Sequence, residues 1–227
     1  MAENVPEYST EDIIKSLIRN DLDGDLRYRA EQDLLKRWRL GFDLSFLVEL
    51  IQSERSRDRL RGAYYLGELG EAIDGLKASV MPLADDPLSD CRRAFVGYAT
   101  NSGCYDEAIG AGLAKCLHDL DLYVRVTTIK WAVNASDETF EAFSQLVNSG
   151  VGSRKPTFQN PLSNDFWNEA DLKRAMRGLD IARRIRLKEK IQDIRKDFPE
   201  EDSFVLDNLH FSQTRHERLV KGGYEIR

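Results

Sequence analysis

Histidine, cysteine and proline are scarce in this chain, with 3, 3 and 6 copies among 227 residues. His118, His210 and His216 leave few candidates for metal ligation or base chemistry. Cys91, Cys104 and Cys116 are odd in number and spaced by 13 and 12 residues. That spacing matches no zinc pattern, so reduced thiols of a cytoplasmic protein are expected. No run of about 18 apolar residues exists, which excludes a membrane-spanning helix. The opening residues Met1 to Glu7 have neither a basic nor an apolar leader region, so no secretory signal is expected. A nucleophile elbow, a Walker loop, a dinucleotide glycine fingerprint and HExxH are all lacking. Excess positive charge is missing as well. The net charge is -6, and a general nucleic-acid binder usually carries the opposite balance.

What is present is enough apolar material for a core. Hydrophobic residues make up 41% of the chain and charged ones 32%, the balance of a soluble fold of one domain, or one domain with an appendage. The charge is unevenly spread. Residues 171–196 hold ten Lys and Arg against four acids, a net of +6. Residues 197–227 carry -3, which leaves -9 on residues 1–170.

Internal repeats decide the architecture. Asp58 to Gly70 sets a template: an Arg, then a small or apolar residue seven positions on. The pattern recurs from Leu26 to Leu34, from Cys91 to Ala99 and from Val124 to Ala132. The register arginines Arg27, Arg59, Arg92 and Arg125 are spaced by 32, 33 and 33 residues. Each unit reads as two helices. The first carries the Arg and an apolar stripe at helical spacing. The second starts near Asp43, Asp74, Asp106 or Asp137, acids suited to a helix N-terminus. Its stripe is Leu44, Leu47, Val48 and Ile51, then Leu76, Val80 and Leu83, then Ile109, Leu113 and Leu117, then Phe140, Phe143 and Val147. Pro82 predicts a kink or early stop in the second of these. A single helical pair cannot bury its apolar face, so neighbours must stack.

The run Asp58-x-x-Arg61-x-Ala63-x-x-Leu66-Gly67-x-Leu69-Gly70 resembles the HEAT-like repeat of the phycobilisome-lyase type. The junctions Leu83-Ala84-Asp85-Asp86-Pro87 and Leu117-His118-Asp119 are similar to that family's. The resemblance covers about residues 20–148, with a weaker fifth unit from 165. It implies an all-α fold, a right-handed α-solenoid of about five helical hairpins with a C-terminal capping helix. It also implies that the register Arg pairs with an Asp of a neighbouring unit, a structural ladder. The expected organisation is four repeat units over residues 1–148, a loop over 149–164, a fifth unit or long basic capping helix over 165–198, and a tail over 199–227. Gly150, Gly152, Pro156 and Pro161 mark the loop, which reads equally as a functional loop or a linker. Leu172, Met176, Leu179 and Ile185 trace a helix expected to run to about Lys196, its ten basic residues a solvated face or a docking strip. The tail from Phe204 shows no helical periodicity, and residues 219–226 suggest a hairpin or a frayed end.

The resemblance says little about function, because such folds serve scaffolds, lyases, hydroxylases, DNA glycosylases and toxin inhibitors. The di-iron hydroxylase is excluded, since it needs several His-Glu pairs and this chain has only His216-Glu217. The expectation is a non-enzymatic protein-binding module with no cofactor and no metal. Its concave face would be lined by second helices bearing Glu49, Asp74, Asp106, Glu107, Glu138 and Glu141, with Trp167 the most ambiguous aromatic. Such a field attracts a basic partner. The most specific form is a bacterial immunity protein that occludes a basic toxin or nuclease. The runner-up is an alkylpurine DNA glycosylase, which uses aromatics, an acid and an Arg in a basic cleft. Trp38, Trp131 and Arg125 offer the residue types, but the two tryptophans fall on core-facing stripes and the body is acidic, so nucleic acid is not the expected partner. A bilin lyase or chaperone is the third reading.

Overall fold

A computed structural model describes residues 9–19, 23–70, 75–149 and 169–210. The described residues are helical, joined by turns, and carry no strand. In chain order the helices are α1 (Thr10–Arg19), α2 (Gly24–Arg39), α3 (Ser45–Ile51), α4 (Ser56–Leu69), α5 (Lys77–Val80), α6 (Ser89–Asn101), α7 (Glu107–Leu117), α8 (Leu122–Asn134), α9 (Asp137–Asn148), α10 (Glu169–Arg186) and α11 (Ile191–Ile194). Short 3-10 turns cover Met81–Asp85, Arg195–Asp197 and Glu200–Asp202. Among the described residues no helix is long and apolar enough to cross a membrane.

Two successions of helices run through the molecule. In one, α2 packs on α4, α4 on α6, α6 on α8 and α8 on α10. In the other, α3 meets α5, the Met81–Asp85 turn meets α7, and α7 meets α9. The repeat pattern accounts for both. The residues seven positions after the register arginines, Leu34, Leu66, Ala99 and Ala132, are all buried. So are Leu47 and Ile51, Val80 and Leu83, Ile109, Leu113 and Leu117, and Phe140, Phe143 and Val147 on the second helices. The core they form is continuous from Ile13 to Leu209. Pro82 acts as an early stop: α5 ends at Val80 and the chain continues as a 3-10 turn.

The helix starts follow the expected chemistry with two shifts. Asp23 and Asp106 accept the backbone N–H three residues on, from Leu26 and Ile109. At α9 the cap is Ser136, which accepts from Thr139 N, and Asp137 is the first helical residue. Asp43 sits two residues ahead of α3 and accepts from the N–H and hydroxyl of Ser45. Asp74 lies outside the described residues.

The C-terminal third departs from the sequence reading. The basic helix does not reach Lys196; α10 ends at Arg186. The N–H of Lys188 reaches Ile185 O and that of Glu189 reaches Arg184 O, the paired reverse bonds that close a helix. Lys188 takes the left-handed conformation this needs, with φ of 66°. Gly41, with φ of 88°, holds the same place after α2, where Gly41 N reaches Trp38 O and Phe42 N reaches Arg37 O. A glycine announces such a stop and a lysine does not. The second correction concerns the tail. Residues 203–210 are helical, and Val205, Leu206 and Leu209 are buried against the core. Three adjacent apolar residues, Phe204, Val205 and Leu206, hide the period in so short a segment. The loop over 149–164 and the hairpin over 219–226 fall outside the described residues, apart from Ser149 at the end of α9.

Candidate functional site

The register arginines build a ladder through the first succession of helices. Arg59 on α4 donates from Nε to Asp86 Oδ2 at 2.5 Å, and its Nη1 reaches the carbonyls of Ser53 and Glu54. Arg92 on α6 repeats the arrangement one unit on, with Nε and Nη2 on Asp119 at 2.6 and 2.9 Å and Nη1 on the carbonyls of Asp86 and Pro87. Each acceptor also takes the N–H two residues ahead of it, Leu88 for Asp86 and Asp121 for Asp119. The carboxylate thus fixes the start of the next first helix and the guanidinium of the previous one together. Hydrogen bonding to Asp86 and to Asp119 raises the pKa of Arg59 and of Arg92, so both cations are held more firmly than in water.

The two ends of the ladder differ. Arg27 pairs with Glu31 within α2. Arg125 on α8 is buried, and its Nη1 meets Asp202 at 3.4 Å, 77 residues away. Asp202 comes from the Glu200–Asp202 turn, which folds back over the start of α8, where Tyr123 meets Phe204 edge-on. Arg177 on α10 donates to Asp202 at 2.6 Å and also pairs with Glu201. The 27-residue offset shared by Arg59–Asp86 and Arg92–Asp119 marks those acceptors in the sequence; nothing there marks Asp202.

The acids expected to face a partner sit on the second helices. Glu49 on α3, Glu107 on α7, and Glu138 and Glu141 on α9 are exposed. None of the four forms an ion pair among the described residues, while Glu141 accepts from Gln145 one turn on. Since α7 packs on α9, Glu107, Glu138 and Glu141 share adjacent helices; Glu49 connects to them through α5 and the Met81–Asp85 turn. Asp106 is already committed: it caps α7 and pairs with Lys77. Asp74 and Trp167 lie outside the described residues.

The basic segment is largely consumed within the fold. Lys173 pairs with Glu169, Arg174 with Asp171, Arg177 with Glu201 and Asp202, and Arg184 with Glu189 and Asp197. Arg195 pairs with Asp207 and Lys196 with Asp193. Arg186 reaches the carbonyls of Ala132, Val133 and Ala135 at the end of α8, pairs with Asp137 and lies 4.6 Å over the Phe140 ring. It ties α10 to α8 and α9 and was not legible in the sequence.

The residue types suited to catalysis are placed in the core. Trp38 donates from its indole to Asp43 O and packs edge-on against Tyr65; Trp131 stacks on Tyr105 and meets Phe143 edge-on. Both tryptophans are buried. Burial pushes the Cys91 thiol up to about 12 and raises that of Cys116 further, so neither offers a thiolate at neutral pH. Among the described residues no group of three or more His, Cys, Asp or Glu is arranged to hold a metal ion. Comparison of the chain with protein-family models, with curated proteins and with solved structures finds no match.

Proposed function

We propose that this chain is a protein-binding module rather than an enzyme, a HEAT-like right-handed α-solenoid whose second helices form an acidic docking face. The observation that carries the reading is the contrast in how charge is used. Glu49, Glu107, Glu138 and Glu141 are exposed with no cation on them among the described residues, while most of the Lys and Arg of residues 171–196 are ion-paired with acids of the fold itself. An unneutralised acidic face raises the encounter rate with a basic protein and selects against acidic ones. The specific form of the proposal is a cytoplasmic bacterial immunity protein that covers the active cleft of a basic toxin, such as a nuclease. The glycosylase reading is weakened by the burial of Trp38, Trp131 and Arg125, which removes them from any surface cleft.

The test is affinity capture from the native host at low and moderate salt, with proteins and nucleic acids both analysed. The expected result is a stoichiometric basic protein, released as salt rises and lost with Glu107→Lys plus Glu138→Lys. Retention of the partner by that double variant would overturn the choice of face. Recovery of DNA without protein, followed by release of a modified base in vitro, would replace the proposal with the glycosylase.

A further inference from the structure

The outer face of α2 and α4 carries a second surface, distinct from the acidic one. Helical spacing puts Tyr28, Arg29, Lys36 and Arg39 on one side of α2, and Arg57, Leu60 and Tyr64 on one side of α4. Tyr28 is 61% exposed, Tyr64 47% and Leu60 38%, although α2 and α4 pack directly together. Tyr28 and Leu60 each follow the register Arg of their helix, and Tyr64 lies one turn beyond Leu60, so the three occupy the exposed side of two helices that pack on each other.

Stacking of the units does not require these side chains. Position one after the register Arg is Tyr28, Leu60, Arg93 and Val126 in successive units, and position five is Gln32, Tyr64, Gly97 and Lys130. On α6 the pair is a cation and a glycine with open space over it, and on α8 Val126 is buried. At these two register positions aromatic side chains occur only in the first two units, as Tyr28 and Tyr64.

The charge around the patch is opposite to that of the rest of the body. Arg29, Lys36 and Arg57 are exposed and form no ion pair among the described residues. Among the described residues Arg39 donates only to the backbone carbonyl of Glu68. The acids on the same face are Asp25 and Glu68, and Glu31 is already taken by Arg27. Cations therefore outnumber uncommitted acids around an aromatic centre. Exposed Tyr with Arg, ringed by charge, is the composition of an interface centre.

We propose that the α2–α4 face docks an acidic protein segment bearing aromatic or aliphatic side chains, whose apolar groups lie on Tyr28, Leu60 and Tyr64 and whose carboxylates meet Arg29, Lys36 and Arg57. A nucleic acid fits less well, because the patch spans one pair of helices and the -9 carried by residues 1–170 repels a long phosphate backbone. This surface goes beyond the acidic docking face and would let one molecule hold two partners of opposite charge.

The probe is a fluorescein-labelled peptide of about a dozen residues, alternating Glu or Asp with Phe and Leu, read by anisotropy and compared with oligoglutamate and oligothymidylate of similar charge. The expected result is saturable binding of the mixed peptide, weakened about tenfold by Tyr28→Ala plus Tyr64→Ala and abolished by Arg29→Glu plus Arg57→Glu. All four residues are exposed or half-exposed, so the variants should keep the parent thermal transition. Hydrogen exchange should slow in α2 and α4 on peptide addition. Glu107→Lys plus Glu138→Lys should leave this binding intact, which separates it from the acidic face. The proposal is overturned by absence of saturable binding to the parent chain, by patch variants that bind as tightly as the parent, or by tighter binding of oligothymidylate than of the peptide.

Discussion

The middle rungs and the terminal rung use the same residue in different states. Arg92 has all three guanidinium nitrogens engaged, two on Asp119 and one on the carbonyls of Asp86 and Pro87. Arg125 is 5% exposed, yet among the described residues its Nε has no hydrogen-bond partner and its carboxylate contact, to Asp202, is 3.4 Å long. The pKa shifts point the same way. The hydrogen bond to Asp119 raises Arg92, whereas desolvation lowers Arg125 despite the opposing pull of Asp202. Asp202 gives its closer contact to Arg177. A guanidinium taken out of water is stabilising only when its donors are matched. The middle of the array meets that condition and its end does not. The period explains why: Asp86 and Asp119 each follow their Arg by 27 residues, and the same step from Arg125 arrives at Gly152.

The largest effect should come from breaking a middle rung. Asp119→Ala leaves the half-buried Arg92 beside carbonyls alone and removes the acceptor for Asp121 N, a loss of about 3 kcal/mol in urea unfolding. Asp202→Ala should cost less, because Arg177 keeps Glu201 and Arg125 loses only a long contact. Equal losses for the two variants would remove the distinction between the rungs. Swapping the cation is sharper. Arg92→Met should destabilise by about 2–4 kcal/mol, since it strands Asp119. Arg125→Met should be neutral or stabilising by about 1 kcal/mol, since Asp202 retains Arg177 and the unpaired Nε is gone. Thermal unfolding of the two variants, measured side by side, decides it.

Legibility follows the same division. The central helices were readable because a period of 32 or 33 residues superimposes each apolar stripe on the next, and the stripes from Leu34 to Val147 are buried apart from Leu44, Val48 and Leu76, which are half-buried. The exposed acids Glu49, Glu107, Glu138 and Glu141 followed from those stripes by elimination. Asp106 shows the limit of that step, because its pairing with Lys77 depends on where α5 sits, which no local pattern encodes. The end of the chain was not readable, because its stop signal is a lysine and its ladder acid comes from 77 residues away. The contrast between the two helix stops is itself testable. Lys188→Gly should relieve the left-handed backbone and stabilise by about 0.5–1 kcal/mol. Gly41→Ala should cost about 1 kcal/mol, there being no steric clash at that site beyond the backbone itself. Opposite signs in chemical denaturation are expected, and a destabilised Lys188→Gly would mean that the lysine side chain contributes more than its strain removes.

His118 stands at the boundary between the two regions, following α7 beside Asp119 of the last complete rung, with Asp171 and Arg174 of α10 facing it. Desolvation lowers its pKa below 6.5; Asp171 and Asp119 oppose the shift, and Arg174 adds to it. The folded state therefore prefers the neutral ring, and the unfolded chain binds the proton more readily. As pH falls through the unfolded value of 6.5 toward the lower folded value, stability should decline; at pH above 6.5 this group should add no slope. His118→Gln should flatten the curve of unfolding free energy against pH between about 7 and 5 while leaving the value at pH 8 less affected. An unchanged slope in the variant would mean that the ring is wetter than its burial indicates, and that the seam between α7 and α10 opens more readily than the rungs beside it.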